Sequence, residues 1–274
     1  MNVKDFPNTE NLILELHQGW LTIWFNRPDN RNALSEGLMA DLKAVLETVQ
    51  HDRTVRGITM RGKGGIFCAG GDLKAFKSSL MKADKETVVA SSIKAADMFA
   101  LINAVPQVTI MIIEGAAMAG GLGMACCGDV VISTPTAKFA LTEAMIGVSP
   151  AQISPYVIQR FGYAAARRLM LTAAKFDGAE AKTLGLVDFL ADSEAGLIEA
   201  EQNIKAQVLK CAPGAISATK ALVLAAPALE HDQMVAFAAD NFADCLLGNE
   251  GREGIASFIE KRRPNWSVKL DETS

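Results

Sequence analysis

The chain has 274 residues, half of them hydrophobic, with 27 Lys and Arg against 31 Asp and Glu and a formal net charge of −4. That length buries a sizeable core without disulfide or metal staples, and scattered positive charge leaves no basic stripe for nucleic acid or an anionic membrane. The five cysteines, Cys68, Cys126, Cys127, Cys211 and Cys245, are odd in number and mostly embedded in apolar runs; with no C-x-x-C or H-x-x-x-H spacing, reduced buried thiols are expected and a metal centre is not. The N-terminal "MNVKDFPNTENL" lacks the order of a signal peptide, and no window approaches eighteen uncharged apolar residues. A cytoplasmic location is the expectation.

In chain order, "LILELHQG" and "WLTIWFN" read as strands, closed by the turn "RPDNRN". In "SEGLMADLKAVLETVQHD", Leu38, Leu42, Val45, Leu46 and Val49 recur at helical spacing behind Ser35, which is placed to cap the helix. "VRGITMRG" predicts a short buried strand, and "KGGIFCAGGDLKAF" a glycine-rich loop that runs into a helix. A long helix is predicted over roughly 85–104, then the strand "VTIMIIEG", a second glycine-rich turn, a helix through "GLGMACCGD" and the strand "VVISTPTAKFAL". From about residue 155 the pattern turns helical: "ISPYVIQRFG", "AAARRLMLTA", "GAEAKTLGL", "EAEQNIKAQVLKCA", "AISATKALVLAA" and "HDQMVAFAADNFADCLLG". Alternating strands and helices point to an α/β layered fold with largely parallel strands.

Two loops share one design, an apolar strand, a small-residue turn containing "AGG", and a helix start. In the first, Gly71 precedes Asp72; in the second, Gly120 and Gly121 open the helix carrying Cys126 and Cys127. Two such turns facing each other aim two backbone N–H groups at one oxygen, which is an oxyanion hole. Glycine serves because a side chain would keep the reacting atom from the amide. Neither turn satisfies G-x-x-x-x-G-K-[ST], nor G-x-G-x-x-G with a later acidic residue, so a nucleotide-phosphate cradle is disfavoured. His17, His51 and the pair Arg167 and Arg168 read as surface groups.

"NRPDNRNALS", "GGIFCAGGDLKAF", "EGAAMAGGLGMACCGDVVISTPTAKFALTEAMIG", "FDGAEAKTLGLVD" and "EGIASFIEKRRPNW" stand in the order and at the spacing of the crotonase family, the enoyl-CoA hydratases and isomerases, which the chain resembles from about residue 10 to 266. The resemblance implies a ClpP/crotonase-like spiral of ββα units over residues 1–200 and a C-terminal helical trimerisation region over 201–274 that covers the active site. It implies an acyl-CoA thioester as substrate, with no cofactor beyond the coenzyme A of the substrate itself, and a homotrimer or homohexamer. By the same resemblance the N–H groups of Gly71 and Gly120 bind the thioester oxygen. Coenzyme A is expected at Arg27, Arg31, Asn32 and Ala33, at Ala69, Asp72 and Leu73, and near Lys74, with Phe258 and Lys261 from the C-terminal region, Lys261 in reach of a neighbouring subunit's phosphates.

Hydratases of this family commonly use two glutamates, and only the second is present, as Glu143 in "FALTEAMIG". Gly123 stands where the first is expected. A single carboxylate in an apolar pocket, its pKa raised, still shuttles one proton, as double-bond migration requires. Hydration, isomerisation and non-catalytic acyl-CoA binding all remain open at this point. The following "SPAQISPY" replaces a glycine-rich turn and adds Ser149, Gln152 and Ser154 beside the acyl pocket, with Gln152 placed either to orient a water or a substrate carboxylate or only to satisfy backbone groups in a turn. A "PAQI-P" segment with glycine at the first position resembles the hydratases of acyclic terpene breakdown, which act on isohexenylglutaconyl-CoA. No aspartate stands at 149–152, which disfavours dehalogenase-like and naphthoate-synthase-like chemistry.

Overall fold

The computed structural model describes residues 5–74, 77 and 84–268. Six strands form one sheet in the order β1 (Leu12–His17), β2 (Trp20–Phe25), β3 (Gly57–Gly62), β4 (Val108–Ile113), β6 (Val130–Ser133) and β9 (Phe189–Leu190). The hairpin β1–β2 is antiparallel and every later pairing is parallel. Parallel strands are covered on both faces, and all six residues of β3 are buried. A smaller sheet holds β5 (Ala116–Met118), β7 (Lys138–Ala140) and β8 (Lys175–Asp177).

Alternation along β4 divides the core. Met111 and Ile113 face a large cluster with α1 (Glu36–Val49) and α2 (Lys85–Ala104), and Ile110 and Ile112 face a second cluster with α6 (Glu194–Val208). Helix α1 forms as expected: the Ser35 side chain accepts from the Leu38 N–H at 3.2 Å, and the five apolar residues of its stripe are fully enclosed. Each such side chain contributes about 1.5–3 kcal/mol relative to exposure. Helix α2 has the length and hydropathy of a membrane span, yet it carries Lys94 and Asp97 and turns Met98, Phe99 and Ile102 into the core. The helix expected after the Gly71 turn starts at Leu73 and Lys74, and its continuation lies largely outside the described residues.

The other helices are α3 (Gly120–Cys126), α4 (Ser154–Thr172), α5 (Gly178–Thr183), α7 (Pro213–Ala225), α8 (His231–Leu247) and α9 (Asn249–Ile259). Two expectations change. "VVISTPTAKFAL" is not one strand but two, β6 and β7, in different sheets, because the chain turns at Pro135, where the Ala137 N–H donates to the Thr134 carbonyl. "ISPYVIQRFG" and "AAARRLMLTA" belong to one helical span, α4, interrupted at Gly162 with φ 73° and ψ 161°. Cys68, Cys126 and Cys127 are buried thiols as expected, and burial pushes Cys68 and Cys126 up to about 12; Cys211 is exposed and Cys245 half-buried.

Candidate active site

The two glycine loops meet at the ends of β3 and β5. Cys68 bridges Ala117, donating its N–H to the Ala116 carbonyl at 3.1 Å and accepting from the Met118 N–H at 2.9 Å. On its other side the first loop pairs with Leu34, whose N–H donates to the Gly70 carbonyl at 2.8 Å while its carbonyl accepts from the Asp72 N–H at 3.0 Å. The loops touch so closely that a Cβ on Gly121 would stand 2.5 Å from the Cys68 carbonyl oxygen, and one on Gly70, where φ is +95°, would stand 3.0 Å from the Ala119 Cβ. Only glycine permits that approach. Among the described residues the N–H groups of Gly71 and Gly120 donate to no protein acceptor. Both therefore remain available to an external oxygen.

Ala119, just before Gly120, holds φ 50° and ψ −121°, a conformation costing about 1–3 kcal/mol for a residue with a side chain. Its N–H donates to the Ala140 carbonyl at 2.8 Å, which ties the second loop to the end of β7. Three residues on, Glu143 opens a short 3-10 turn. Its Oε2 is buried with no hydrogen-bond partner among the described residues. Burial raises its carboxyl above the ordinary carboxylate range, with its own backbone N–H pulling weakly the other way. A half-buried carboxyl of raised pKa with one unpartnered oxygen suits proton transfer.

The position of the absent first carboxylate is filled. A Cβ on Gly123 would stand 2.5 Å from Ile153 Cβ and 3.2 Å from its Cδ1, and Ile153 is only 3% exposed. Gln152, which sequence reasoning turned toward the acyl pocket, instead donates to the Ser92 hydroxyl of α2, and the Ser154 hydroxyl donates to the Ala151 carbonyl at 3.1 Å. The Gln152 side chain thus ties the turn to α2, and the Ser154 hydroxyl closes on the turn itself. Leu34 and Phe99 stand against Gly120, and the Phe99 and Tyr156 rings are 6.3 Å apart. Sequence reasoning missed Ile153, Phe99 and Tyr156, which carried only the ordinary signal of apolar and aromatic packing.

The residues expected at coenzyme A form one stitched surface. Arg27 donates to the Ala33 carbonyl at 2.7 Å and pairs with Asp72 at 3.4 Å, and the Ala69 N–H donates to the Arg31 carbonyl at 3.0 Å. Asn32 is fully enclosed at φ +54°, donating to the carbonyls of Lys63 and Ile66 and accepting from the Arg27 N–H. Its side chain holds the turn in shape. Leu73 and Lys74 are exposed at the edge of this surface.

Phe258 and Lys261 are not brought to it within this chain. The C-terminal segment is anchored by Arg56, which donates to the Trp266 carbonyl at 2.7 Å and the Cys211 carbonyl at 2.6 Å. Arg56 precedes β3, so this anchor lies one six-residue strand, about 20 Å, from the end that bears the Gly71 loop. Phe258 is 85% exposed.

Comparison with known proteins agrees with this architecture. The family profile described as enoyl-CoA hydratase/isomerase matches residues 15–269. The chain is 32% identical to the enoyl-CoA hydratase AFT6-1 of Alternaria alternata over 89% of its own length and 80% of the relative's, and 29% identical to the crotonyl-CoA hydratase of Syntrophomonas wolfei over 95% and 99%. Among solved structures, AtuE of Pseudomonas aeruginosa superposes with a TM-score of 0.91 at 41% identity, covering 94% of this chain and 100% of the other. An enoyl-CoA hydratase/isomerase from Marinobacter aquaeolei gives 0.90 at 38% identity with the same coverage. The two-sheet α/β architecture is thus the crotonase fold, and the chain belongs to the enoyl-CoA hydratase/isomerase family.

Proposed function

We propose that the protein adds water across the α,β double bond of a 2-enoyl-CoA. The observation that carries this reading is the half-buried Glu143 carboxyl, whose Oε2 has no partner among the described residues, reached through β7 from the same Ala119 that precedes Gly120. Attack of water on the β-carbon forms the C–O bond and drives the π pair through the α-carbon onto the thioester oxygen. The N–H groups of Gly71 and Gly120 stabilise the resulting enolate. Glu143 takes the proton from the water and returns it to the α-carbon, so atoms and charge balance with one carboxylate. The hydratase names of the relatives lean the same way. The "PAQI-P" likeness extends the reading to a branched or glutaconyl-type chain, as in acyclic terpene breakdown. Arg27 to Ala33 and Ala69 to Lys74 hold the coenzyme A portion.

A second reading is favoured by one observation, the hydrocarbon over Gly123. With no second carboxylate to hold a water, Glu143 alone suffices to move a proton from the α-carbon to the γ-carbon of a 3-enoyl-CoA, which is isomerisation. Incubation with crotonyl-CoA and glutaconyl-CoA is expected to remove the absorbance of the conjugated thioester and to give a product heavier by one water. No loss of that absorbance with either thioester, together with turnover of a 3-enoyl-CoA, would decide for isomerisation.

The exposed Phe258 and Ile259 of α9 and Phe242 and Leu247 of α8 form an apolar surface that suits self-association. We propose a trimer or a hexamer, in which Phe258 and Lys261 meet a neighbouring subunit's acyl-CoA. Light scattering on the purified protein is expected to give one of these masses, and a monomer overturns the assembly.

A further inference from the structure

We propose that Ile153 is a specificity-determining residue, the wall that limits the acyl group beside its β-carbon. The inference rests on the acyl-CoA reading of the site. Gly123 lies three residues beyond Gly120 in α3, about 4.5 Å along the helix and on the same side. In this proposal the acyl chain of a thioester held at the Gly120 N–H runs along α3 past Gly123 within its first few carbons. What it meets there is the side chain of Ile153, whose atoms occupy the room that any substituent on residue 123 would need.

The residue is also held in place. Its carbonyl accepts from the Val157 N–H at 3.0 Å, the Ser154 N–H donates to the Pro150 carbonyl at 2.9 Å, and the neighbouring Gln152 is fastened to Ser92 across the gap to α2. A side chain clamped on both flanks and 3% exposed does not swing aside for a bulky substrate. With Leu34 and Phe99 against Gly120, it completes a hydrocarbon wall around the start of the acyl chain. The ligand class that fits is an acyl-CoA with hydrocarbon at the β-carbon, its bulk set by Ile153.

The test is a binding measurement, which does not depend on turnover. The dissociation constants of butyryl-CoA and of isovaleryl-CoA, which adds one methyl at the β-carbon, are measured by calorimetry for the native protein and for Ile153→Ala. The ratio of the two constants is expected to shift toward the branched thioester by about tenfold, the order that one methyl group commands in an apolar pocket. A ratio unchanged within about twofold would overturn the proposal, that being far below the discrimination of a contacting wall. If neither thioester binds the native protein, the acyl-CoA reading falls and the proposal with it, a result distinct from two measurable constants in unchanged ratio. A second measurement checks the packing itself. Gly123→Ala is expected to lower the melting temperature in the native background and to do so far less in Ile153→Gly, because the Ile153 Cβ by itself stands 2.5 Å from the added carbon. An equal loss in both backgrounds would also overturn the assignment.

Discussion

Glu143→Gln is expected to lower kcat by about 10²- to 10⁴-fold, the range a positioned proton-transfer group commands. The substitution keeps size and shape but removes the titration, so affinity for coenzyme A, held on the Arg27 and Asp72 side, should be preserved. The same variant has a pH signature. Glu143 must be ionised to take a proton from water, so the native rate falls as pH drops through its raised pKa; this acid limb should vanish from the residual activity of the glutamine form. Stability moves the opposite way. Because burial raises the folded-state pKa above that of the unfolded chain, the native state holds the extra proton between the two values. The stabilisation is complete below the unfolded pKa and is lost as pH rises through the folded one. Above the raised pKa the ionised, half-buried carboxylate is a cost that glutamine lacks, so there Glu143→Gln should melt above the native protein while turning over far more slowly. Parallel kinetics and thermal melts from pH 4 to 8 check both signs, and a variant with native kcat would remove Glu143 from the reaction.

Gly121→Ala is expected to lower kcat by about 10²- to 10³-fold, as the loss of one oxyanion donor does. The added methyl meets the Cys68 carbonyl oxygen at 2.5 Å and the Cys68 Cβ at 2.8 Å. A backbone oxygen cannot rotate away, so the two loops must part, and the Gly71 and Gly120 N–H groups proposed for the thioester oxygen are moved relative to one another. Gly147→Ala is the control: φ is +79° but nothing lies within 4 Å of the added carbon, so its penalty is local backbone strain alone. Equal kcat in the two variants, both folded by circular dichroism, would detach loop contact from catalysis.

Both experiments concern residues that stood out before any coordinates, because short local patterns fix them. A strand leading into "AGG" forces a tight turn whatever surrounds it, and Ser35 with five apolar residues at helical spacing specifies α1 within one stretch of chain. β8 and β9 were not legible, since three and two residues are too few to show an alternation. The division of "VVISTPTAKFAL" depends on which sheet each half joins, a long-range choice that Pro135 only permits. Within the site, Gly123 and Ile153 are thirty positions apart; Gly123 stood out as a missing carboxylate but Ile153 did not, and their shared volume exists only after the residue before α4 packs on α3. The enclosed Asn32 was hidden by the opposite tendency, because asparagine is mostly exposed and its motif suggested a ligand contact rather than a clamp.

The break in α4 at Gly162 separates two jobs that an unbroken helix would join. At φ 73° and ψ 161° the residue sits in a region reserved almost entirely for glycine, and no atom lies within 4 Å of where its side chain would be. Conformation, not packing, therefore sets the break. Ahead of it stand Ile153, packed over Gly123, and Tyr156, whose ring meets Phe99; behind it, Tyr163 and Leu171 face outward. A rigid rod would carry any tilt at one end through to the other. With the helix broken at this joint, a change at Ile153 is not carried along one continuous rod to the outer face, so substrate choice and surface contacts can be engineered as independent variables.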